Sequence, residues 1–205
     1  MPNYITNCFS PVPVYRRYPD RERFLFPVEW ERVRLVLATE PLKIRVYFYV
    51  LLMTGARMSE VRLMQWRHVD LAAGLWYKPV TKGGRSQVLP VSPSMASLLE
   101  SLPRDTRYCF HGDLENNNVN PDGPWSRRVI FYHWQRIRKA ANVEDVRIHD
   151  LRRTCASWLT MYGENLPVVK YILDHRNIQT TMIYARLDAQ AVREALQRHA
   201  KRVIG

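Results

Sequence analysis

One segment of the chain, Pro41 to Thr54, is apolar on nearly every side when it is drawn as a helix. A helix without a polar face has to be buried all round, so other elements must surround it. Its apolar run, Ile44 to Met53, contains Arg45 and is far shorter than the roughly 20 residues that a membrane-spanning helix needs. The segment therefore predicts the central helix of a globular core.

Size and charge narrow what this core can be and what it can bind. The 205 residues, 46% of them apolar, are enough for one main domain with a short appendage. The formal charge of +12 suits a polyanion such as DNA, because each phosphate contact by Lys or Arg releases counterions. The N-terminus leads into no apolar stretch, so we expect a cytoplasmic protein without a membrane partner. The cysteines indicate neither a disulfide framework nor a zinc site: Cys8, Cys109 and Cys155.

Apolar residues at helical spacing predict further helices around the central one. They are expected from Pro27, from Ser94 to Leu102, from Trp125 to Ala141, from Asp150 to Tyr162 and from Pro167. Residues that commonly cap helices predict three further helices. One begins at Ser59 and carries Val61 to Trp66, a short one follows Thr180-Thr181 and carries Tyr184, and the last follows Asp188.

The stretch from Leu75 to Val91 has the pattern of a strand, a turn and a second strand. Gly83 and Gly84 permit the tight turn. A further short strand is expected at Tyr108 to Phe110, inside a long loop. The predicted fold is thus mainly α, in the α+β class, a helical bundle with a small antiparallel β-sheet.

Several groups that can hold, protonate or attack a phosphate lie between His149 and Tyr184. His149 and Arg152 are three residues apart near the start of a predicted helix, where free backbone N–H groups favour an anion. His175 lies at a predicted helix end, and Tyr184 follows it nine residues later. Each residue alone is better explained as a structural or packed side chain, but their combination points to phosphate chemistry.

This ordered set resembles the tyrosine recombinase (phage integrase) family, whose hallmark is H-x-x-R, then an L-G-H-like segment, then a nucleophilic tyrosine nine residues on. The run from Thr54 to Glu60 is similar to the family's T-G-x-R-x-S-E box. Lys82, just before the Gly-Gly turn, matches the family's hairpin lysine better than Lys78 does. The resemblance covers about Pro27 to Leu196.

The resemblance implies a tyrosine recombinase catalytic domain over residues 27–205 and transesterification at a DNA phosphodiester. Tyr184 would attack the phosphorus and form a 3′-phosphotyrosyl link, Lys82 would protonate the leaving oxygen, and His149 would orient or accept the tyrosine proton. Glu60 would hold neighbouring cations in place, and no metal or cofactor is required. The implied catalytic set is Arg57, Lys82, His149, Arg152, His175 and Tyr184.

The partner that charge and resemblance imply is double-stranded DNA. Residues 1–26 hold a basic aromatic cluster and are expected to form an extended arm that touches the DNA backbone. The family further implies a homo-oligomer, a tetramer on two DNA sites with the C-terminal helix as docking element, and accessory DNA-bending proteins. Additional DNA contacts are expected from Arg85, Arg127, Arg128, Arg136, Arg153 and Arg176.

Two features depart from the family pattern, and two other functions stay open. Asp174 stands where the family commonly has Gly, and we expect its carboxylate to point away from the phosphate site. The 26 residues ahead of the domain cannot form the core-binding domain that usually precedes it, so a short-form recombinase is indicated.

The alternatives to a recombinase are an enzyme like type IB topoisomerase and a non-catalytic DNA-binding protein of the same fold.

Overall fold

The computed structural model describes residues 23–79, 86–112, 123–174 and 189–205, without the side chains of 189–191. Helices predominate in these ranges, and the three strands form an antiparallel sheet in the order β1-β2-β3. This is the mainly helical α+β fold that the sequence predicts. The elements are α1 Pro27–Thr39, α2 Leu42–Thr54, α3 Met58–Arg62, β1 Val69–Asp70, β2 Leu75–Lys78, β3 Gln87–Pro90, α4 Pro93–Glu100, α5 Arg127–Ala140, α6 Ile148–Met161, α7 Leu166–Leu173 and α8 Ala189–Ile204.

Helix α2 is the centre of the core, as its all-round apolar sequence predicts. Every residue from Val46 to Thr54 is buried, and α6 and α8 pack against the helix. Phe48 contacts the Trp134 ring of α5 with 5.3 Å between ring centroids. Burial of one such side chain is worth about 2 kcal/mol, so α2 is a major source of stability.

Buried ring nitrogens bind the outer elements to this core. Trp30 Nε1 on α1 donates a hydrogen bond to the Val203 carbonyl of α8 at 2.8 Å. His199 Nε2 on α8 lies 2.7 Å from a carbonyl oxygen of α2. Because an unpaired polar group in the core is costly, these contacts hold α1, α2 and α8 in one arrangement.

The chain just ahead of α1 is fastened to α6. Leu25 is fully buried, and its N–H donates to Thr154 Oγ1 at 2.9 Å. Its carbonyl accepts a hydrogen bond from Trp158 Nε1 at 2.9 Å. Arg23 forms an ion pair with Asp145 at 2.6 Å. The packed structure therefore includes residues 23–26, which the sequence places in the arm.

The structure differs from the predicted elements in three places. The helix expected at Ser59 is α3, which is capped by Arg57, spans five residues and is followed by a 3-10 turn at Trp66–His68. Strand β1 is additional, and its two residues are too few to show the alternation that marks a strand. Tyr108 forms only an isolated bridge with Gln65. The hairpin turn and the helix expected around Tyr184 lie outside the described residues.

Gly55 ends α2 at a tightly packed point. Its φ of +58° lies in the left-handed region that favours glycine. A Cβ atom at this position would lie 2.6 Å from Leu173 Cδ2 and 3.1 Å from Cys155 Sγ. The ends of α2 and α7 and the middle of α6 can meet here because residue 55 has no side chain.

We expect Gly55→Ala to lower the free energy of unfolding by about 3 kcal/mol, since it adds overpacking to backbone strain. Gly163→Ala is the matched control, because Gly163 has a φ of +87° but no neighbouring atom within 4 Å of its added Cβ. In the control variant, only the backbone strain should lower the free energy of unfolding, by about 1 kcal/mol. Urea unfolding measures both values, and equal losses in the two variants would contradict the close packing at Gly55.

Candidate active site

Arg57 and Glu60 form a paired unit at the start of α3. Arg57 is the N-cap residue, and Glu60 reaches back from the first turn. Glu60 Oε2 accepts a hydrogen bond from the Arg57 backbone N–H at 3.0 Å, and Oε1 accepts one from Arg57 Nη1 at 2.6 Å. The Glu60 side chain is buried, whereas that of Arg57 is 41% exposed. Glu60 thus positions a guanidinium that stays open to solvent.

Arg152, on α6, forms hydrogen bonds with the ends of two other helices. Its side chain is buried, Nη1 donates to the Gly55 carbonyl at 2.7 Å, and Nη2 donates to the Leu173 carbonyl. These carbonyls lie at the ends of α2 and α7, where backbone acceptors lack partners in their own helix. Burial lowers the pKa of Arg152, and the charge of Arg57 lowers it further, so the two guanidiniums interact across the site.

Lys78, the last residue of β2, belongs to the same site, although the hairpin pattern favours Lys82 as the functional lysine. Its Nζ lies 3.4 Å from Glu60 Oε2 and 5.5 Å from the centroid of the Trp76 ring. Burial lowers the pKa of Lys78, and the Glu60 carboxylate opposes that effect. The alternation of β2 puts Trp76 and Lys78 on one buried side, and this signal could have identified Lys78 from the sequence. With 4% of its side chain exposed, Lys78 supports Glu60.

Asp174 lies in the site as well, so the expectation that its carboxylate points away is wrong. The residue ends α7 in a left-handed conformation with a φ of +50°. Its Oδ2 lies 3.4 Å from Arg57 Nη1. The physical reason is the packing of α7. The Leu173 side chain packs beside Gly55, and the Leu173 carbonyl accepts a hydrogen bond from Arg152, so the end of α7 lies beside α3.

His149 is the second residue of α6, and part of its ring is exposed. Loss of hydration lowers the pKa of His149, and the charges of Arg152 and Arg153 lower it further. A pKa below the usual 6.5 or so keeps the ring neutral at pH 7. At the start of α6, Asp150 Oδ2 accepts a hydrogen bond from the Arg147 N–H at 2.8 Å, so a carboxylate already lies beside this end of the helix.

The predicted DNA-contacting arginines that the structure describes lie on α5 and α6. Arg127 and Arg128 are exposed at the start of α5, while Arg136 lies 3.3 Å from Glu40 and is partly neutralised. Arg153 follows Arg152 on α6 and has a side chain that is 35% exposed. The remaining candidates lie outside the described residues: Lys82, Arg85, His175, Arg176 and Tyr184.

We call the assembled group the cationic cluster: Arg57, Glu60, Lys78, Arg152 and Asp174. Its three cations exceed its two carboxylates by one positive charge, which suits an anionic ligand. In the described ranges, no three His, Cys, Asp or Glu side chains are grouped so that they could hold a metal ion. None of the described helices has the length and apolar character needed to cross a membrane.

The chain belongs to the phage integrase family, because the sequence model of that family matches residues 27–191. The matched range contains the whole cationic cluster, as well as His149, His175 and Tyr184.

Curated relatives with similar sequences are named recombinases. Tyrosine recombinase XerA of Thermococcus kodakarensis is 30% identical, over 80% of this chain and 59% of the relative. The shufflon-specific DNA recombinase of Escherichia coli is 26% identical, over 82% of this chain and 41% of the relative. The chain therefore spans about half the length of these relatives.

Solved structures confirm the predicted fold. The integrase from mycobacterium phage Brujita matches with a TM-score of 0.70 and 19% identity, over 92% of this chain and 65% of that chain. The lambda integrase catalytic core matches with a TM-score of 0.59 and 18% identity, over 75% of this chain and 95% of that chain. The described elements thus form a tyrosine recombinase catalytic domain fold.

We expect Lys78→Met to lower the free energy of unfolding at neutral pH by on the order of 3 kcal/mol, because the buried Glu60 carboxylate loses a partner. Burial by itself raises the pKa of Glu60, but Lys78 and Arg57 outweigh it and hold that pKa below its usual value. The stability that Glu60 contributes is therefore present above the unfolded pKa and lost as the pH falls through the folded pKa.

Because Lys78→Met raises the folded pKa of Glu60 toward or above its unfolded value, the loss of stability that Glu60 causes in acid should shrink, so the difference in stability between wild type and Lys78→Met should narrow as the pH falls. Urea midpoints measured from neutral to acid pH test this expectation. Lys139→Met, which removes an exposed lysine of α5, is the control and should leave the profile unchanged. A difference in stability between wild type and Lys78→Met that stays the same from neutral to acid pH argues against the buried Lys78–Glu60 pair.

Proposed function

We propose that this chain is the catalytic part of a site-specific DNA recombinase that cleaves and rejoins DNA through a 3′-phosphotyrosine intermediate. The observation that carries the proposal is that Arg152 binds the Gly55 carbonyl, two residues ahead of Arg57, so that two cations from distant parts of the sequence lie in one site in a member of the phage integrase family. Two guanidiniums suit the charge that builds on the nonbridging oxygens of a pentacoordinate phosphorus.

In the proposed reaction, the Tyr184 hydroxyl attacks the scissile phosphorus. A bond from phosphorus to the tyrosine oxygen forms, and the bond to the 5′-oxygen breaks. Lys82 gives a proton to that leaving oxygen, while Arg57, Arg152 and His175 bind the nonbridging oxygens. The free 5′-hydroxyl of another strand then attacks the phosphotyrosine and restores a phosphodiester, so the number of phosphoester bonds is conserved.

His149 takes the role of proton acceptor in this scheme. A tyrosine with a pKa near 10 is a weak nucleophile at neutral pH and gains from a nearby base. The lowered pKa of His149, caused by lost hydration and neighbouring arginines, favours the neutral ring that a base requires. The same arginines stabilise a tyrosinate once it forms.

We further propose that residues 27–205 act as the catalytic domain on double-stranded DNA and that, of residues 1–26, those ahead of Arg23 reach the DNA backbone as an arm. Arg127, Arg128 and Arg153 are suited to backbone contacts because they are exposed or half-exposed cations. A tetramer on two DNA sites, accessory DNA-bending proteins and a cytoplasmic location complete the proposal.

Helix α8 bears on how such a tetramer would form. Its apolar residues Val192, Ala195 and Leu196 are buried against the chain's own core, chiefly α2 and α4. Assembly through α8 therefore has to use its outer face, which carries the half-exposed Arg198, or to release the helix from its core.

Covalent trapping on nicked duplexes, drawn from DNA that flanks the gene, tests the reaction. Each duplex is incubated in EDTA with wild type, Tyr184→Phe and Tyr162→Phe, and the products are run on a denaturing gel. We expect an adduct from wild type and from Tyr162→Phe, which removes the hydroxyl of an exposed tyrosine. Tyr184→Phe should give no adduct yet bind the duplex as tightly as wild type.

Either of two results would change the proposal. An adduct formed by Tyr184→Phe would exclude Tyr184 as the nucleophile. Tight binding without an adduct from wild type would favour the non-catalytic DNA-binding function.

Arg57→Lys tests the role of the guanidinium separately from its charge. A lysine keeps the positive charge but loses the planar fork that binds two oxygens, so adduct formation should slow by about 100-fold. Single-turnover rates of adduct formation measure the effect. Arg34→Lys is the matched control and should keep the wild-type rate, because Arg34 on α1 pairs with Glu31, 2.8 Å away and three residues apart in sequence, as Arg57 pairs with Glu60. Equal slowing of both variants would contradict a specific role for Arg57.

A further inference from the structure

The position of Asp174 is not explained by its backbone. With a φ of +50° and a ψ of +48°, it adopts a left-handed conformation that glycine adopts without strain. Asp tolerates this region better than most residues, but its β-carbon still carries a steric cost. What the aspartate adds, compared with glycine, is a carboxylate, and that carboxylate contacts Arg57.

The contact with Arg57 is of a kind that a phosphate can replace. Asp174 Oδ2 meets Arg57 Nη1 at 3.4 Å, while Glu60 holds the same nitrogen at 2.6 Å. The side chains of Arg57 and Asp174 are 41% and 35% exposed, so water weakens their attraction. A phosphate can bind a guanidinium through two oxygens at shorter distance, which is the stronger interaction.

The charge of Asp174 acts on the other cations of the cluster too. Burial lowers the pKa of Lys78 and of Arg152, and the Asp174 carboxylate opposes this effect at both residues. The direct contact of the Asp174 carboxylate, however, is with Arg57.

We propose that Asp174 is an internal competitor of the DNA phosphate, which occupies Arg57 until a DNA strand displaces it. This role rests on the proposed function, because it requires a DNA phosphate at Arg57. The competitor lowers the affinity of the site for any phosphate. The penalty is the same for every duplex, so a random duplex, which makes fewer other contacts, stays largely unbound at protein concentrations that still fill a target.

Binding of a short random-sequence duplex tests the proposal without strand cleavage, since every variant also carries Tyr184→Phe. Fluorescence anisotropy measures affinity between about 50 and 200 mM salt, the range over which phosphate contacts show their counterion release. Asp174→Asn keeps the shape and removes the charge. We expect it to bind about 3- to 10-fold more tightly, with a salt slope steeper by about 0.9, as for one added phosphate contact.

Two controls separate competition at Arg57 from a general change in charge. Asp145→Asn makes the same substitution at the partner of Arg23, 2.6 Å away, and should change the affinity by less than about twofold. In an Arg57→Gln background, Asp174→Asn should lose its effect, because there is no longer an arginine for which to compete. Asp174→Gly, which removes the carboxylate and the backbone strain together, should repeat the gain of Asp174→Asn.

The proposal is overturned if Asp174→Asn binds no better than Asp145→Asn, or if its gain persists in the Arg57→Gln background. Thermal unfolding of each variant establishes that it is folded before binding is compared. A wild-type protein that forms no tyrosine adduct, together with a gain in Asp174→Asn, would overturn the proposed reaction and leave the competitor role standing. An adduct from wild type, together with equal affinities of Asp174→Asn and Asp145→Asn, would overturn the competitor role and leave the proposed reaction standing.

Discussion

The buried guanidinium of Arg152 is the interaction on which the arrangement of the site depends. It binds the Gly55 carbonyl that follows α2 and the Leu173 carbonyl that ends α7, while its own backbone belongs to α6. Helix ends leave carbonyls unpaired, and burying them without a donor is costly. One side chain satisfies two such ends, so the helices that carry the site can be buried against one another at this point.

Carboxylates control how much positive charge the site presents. Glu60 is buried and keeps two partners, Arg57 at 2.6 Å and Lys78 at 3.4 Å, so its charge is shared between a half-exposed cation and a buried one. Without Lys78, the whole negative charge would fall on Arg57 and reduce its attraction for an anion. Asp174, in contrast, is half-exposed and bound more loosely. The site thus combines a fixed carboxylate with a displaceable one.

Elements that depend on a local sequence pattern could be predicted from the sequence, whereas contacts between distant segments could not. Helices α1, α2, α5 and α6 follow from long apolar faces with a cap or a breaker, and the structure confirms them. Strand β1 is too short to show a pattern, and α3 ends after five residues although apolar residues continue to Trp66. The direction of Asp174 depends on α7 meeting α3, a contact between segments far apart in sequence. The roles of Lys82, His175 and Tyr184 stay predictions.

The burial and hydrogen bonding of Leu25 limit where the chain can be shortened. Its N–H and carbonyl are bonded to Thr154 and Trp158 on α6, the helix that also carries Arg152. A deletion that starts the protein at Pro27 would remove the Leu25 side chain from the core and leave the buried ring N–H of Trp158 without its hydrogen-bond acceptor. Tags or trimmed termini are therefore best placed ahead of Arg23, whose ion pair with Asp145 marks the outer limit of the packed chain that the structure describes.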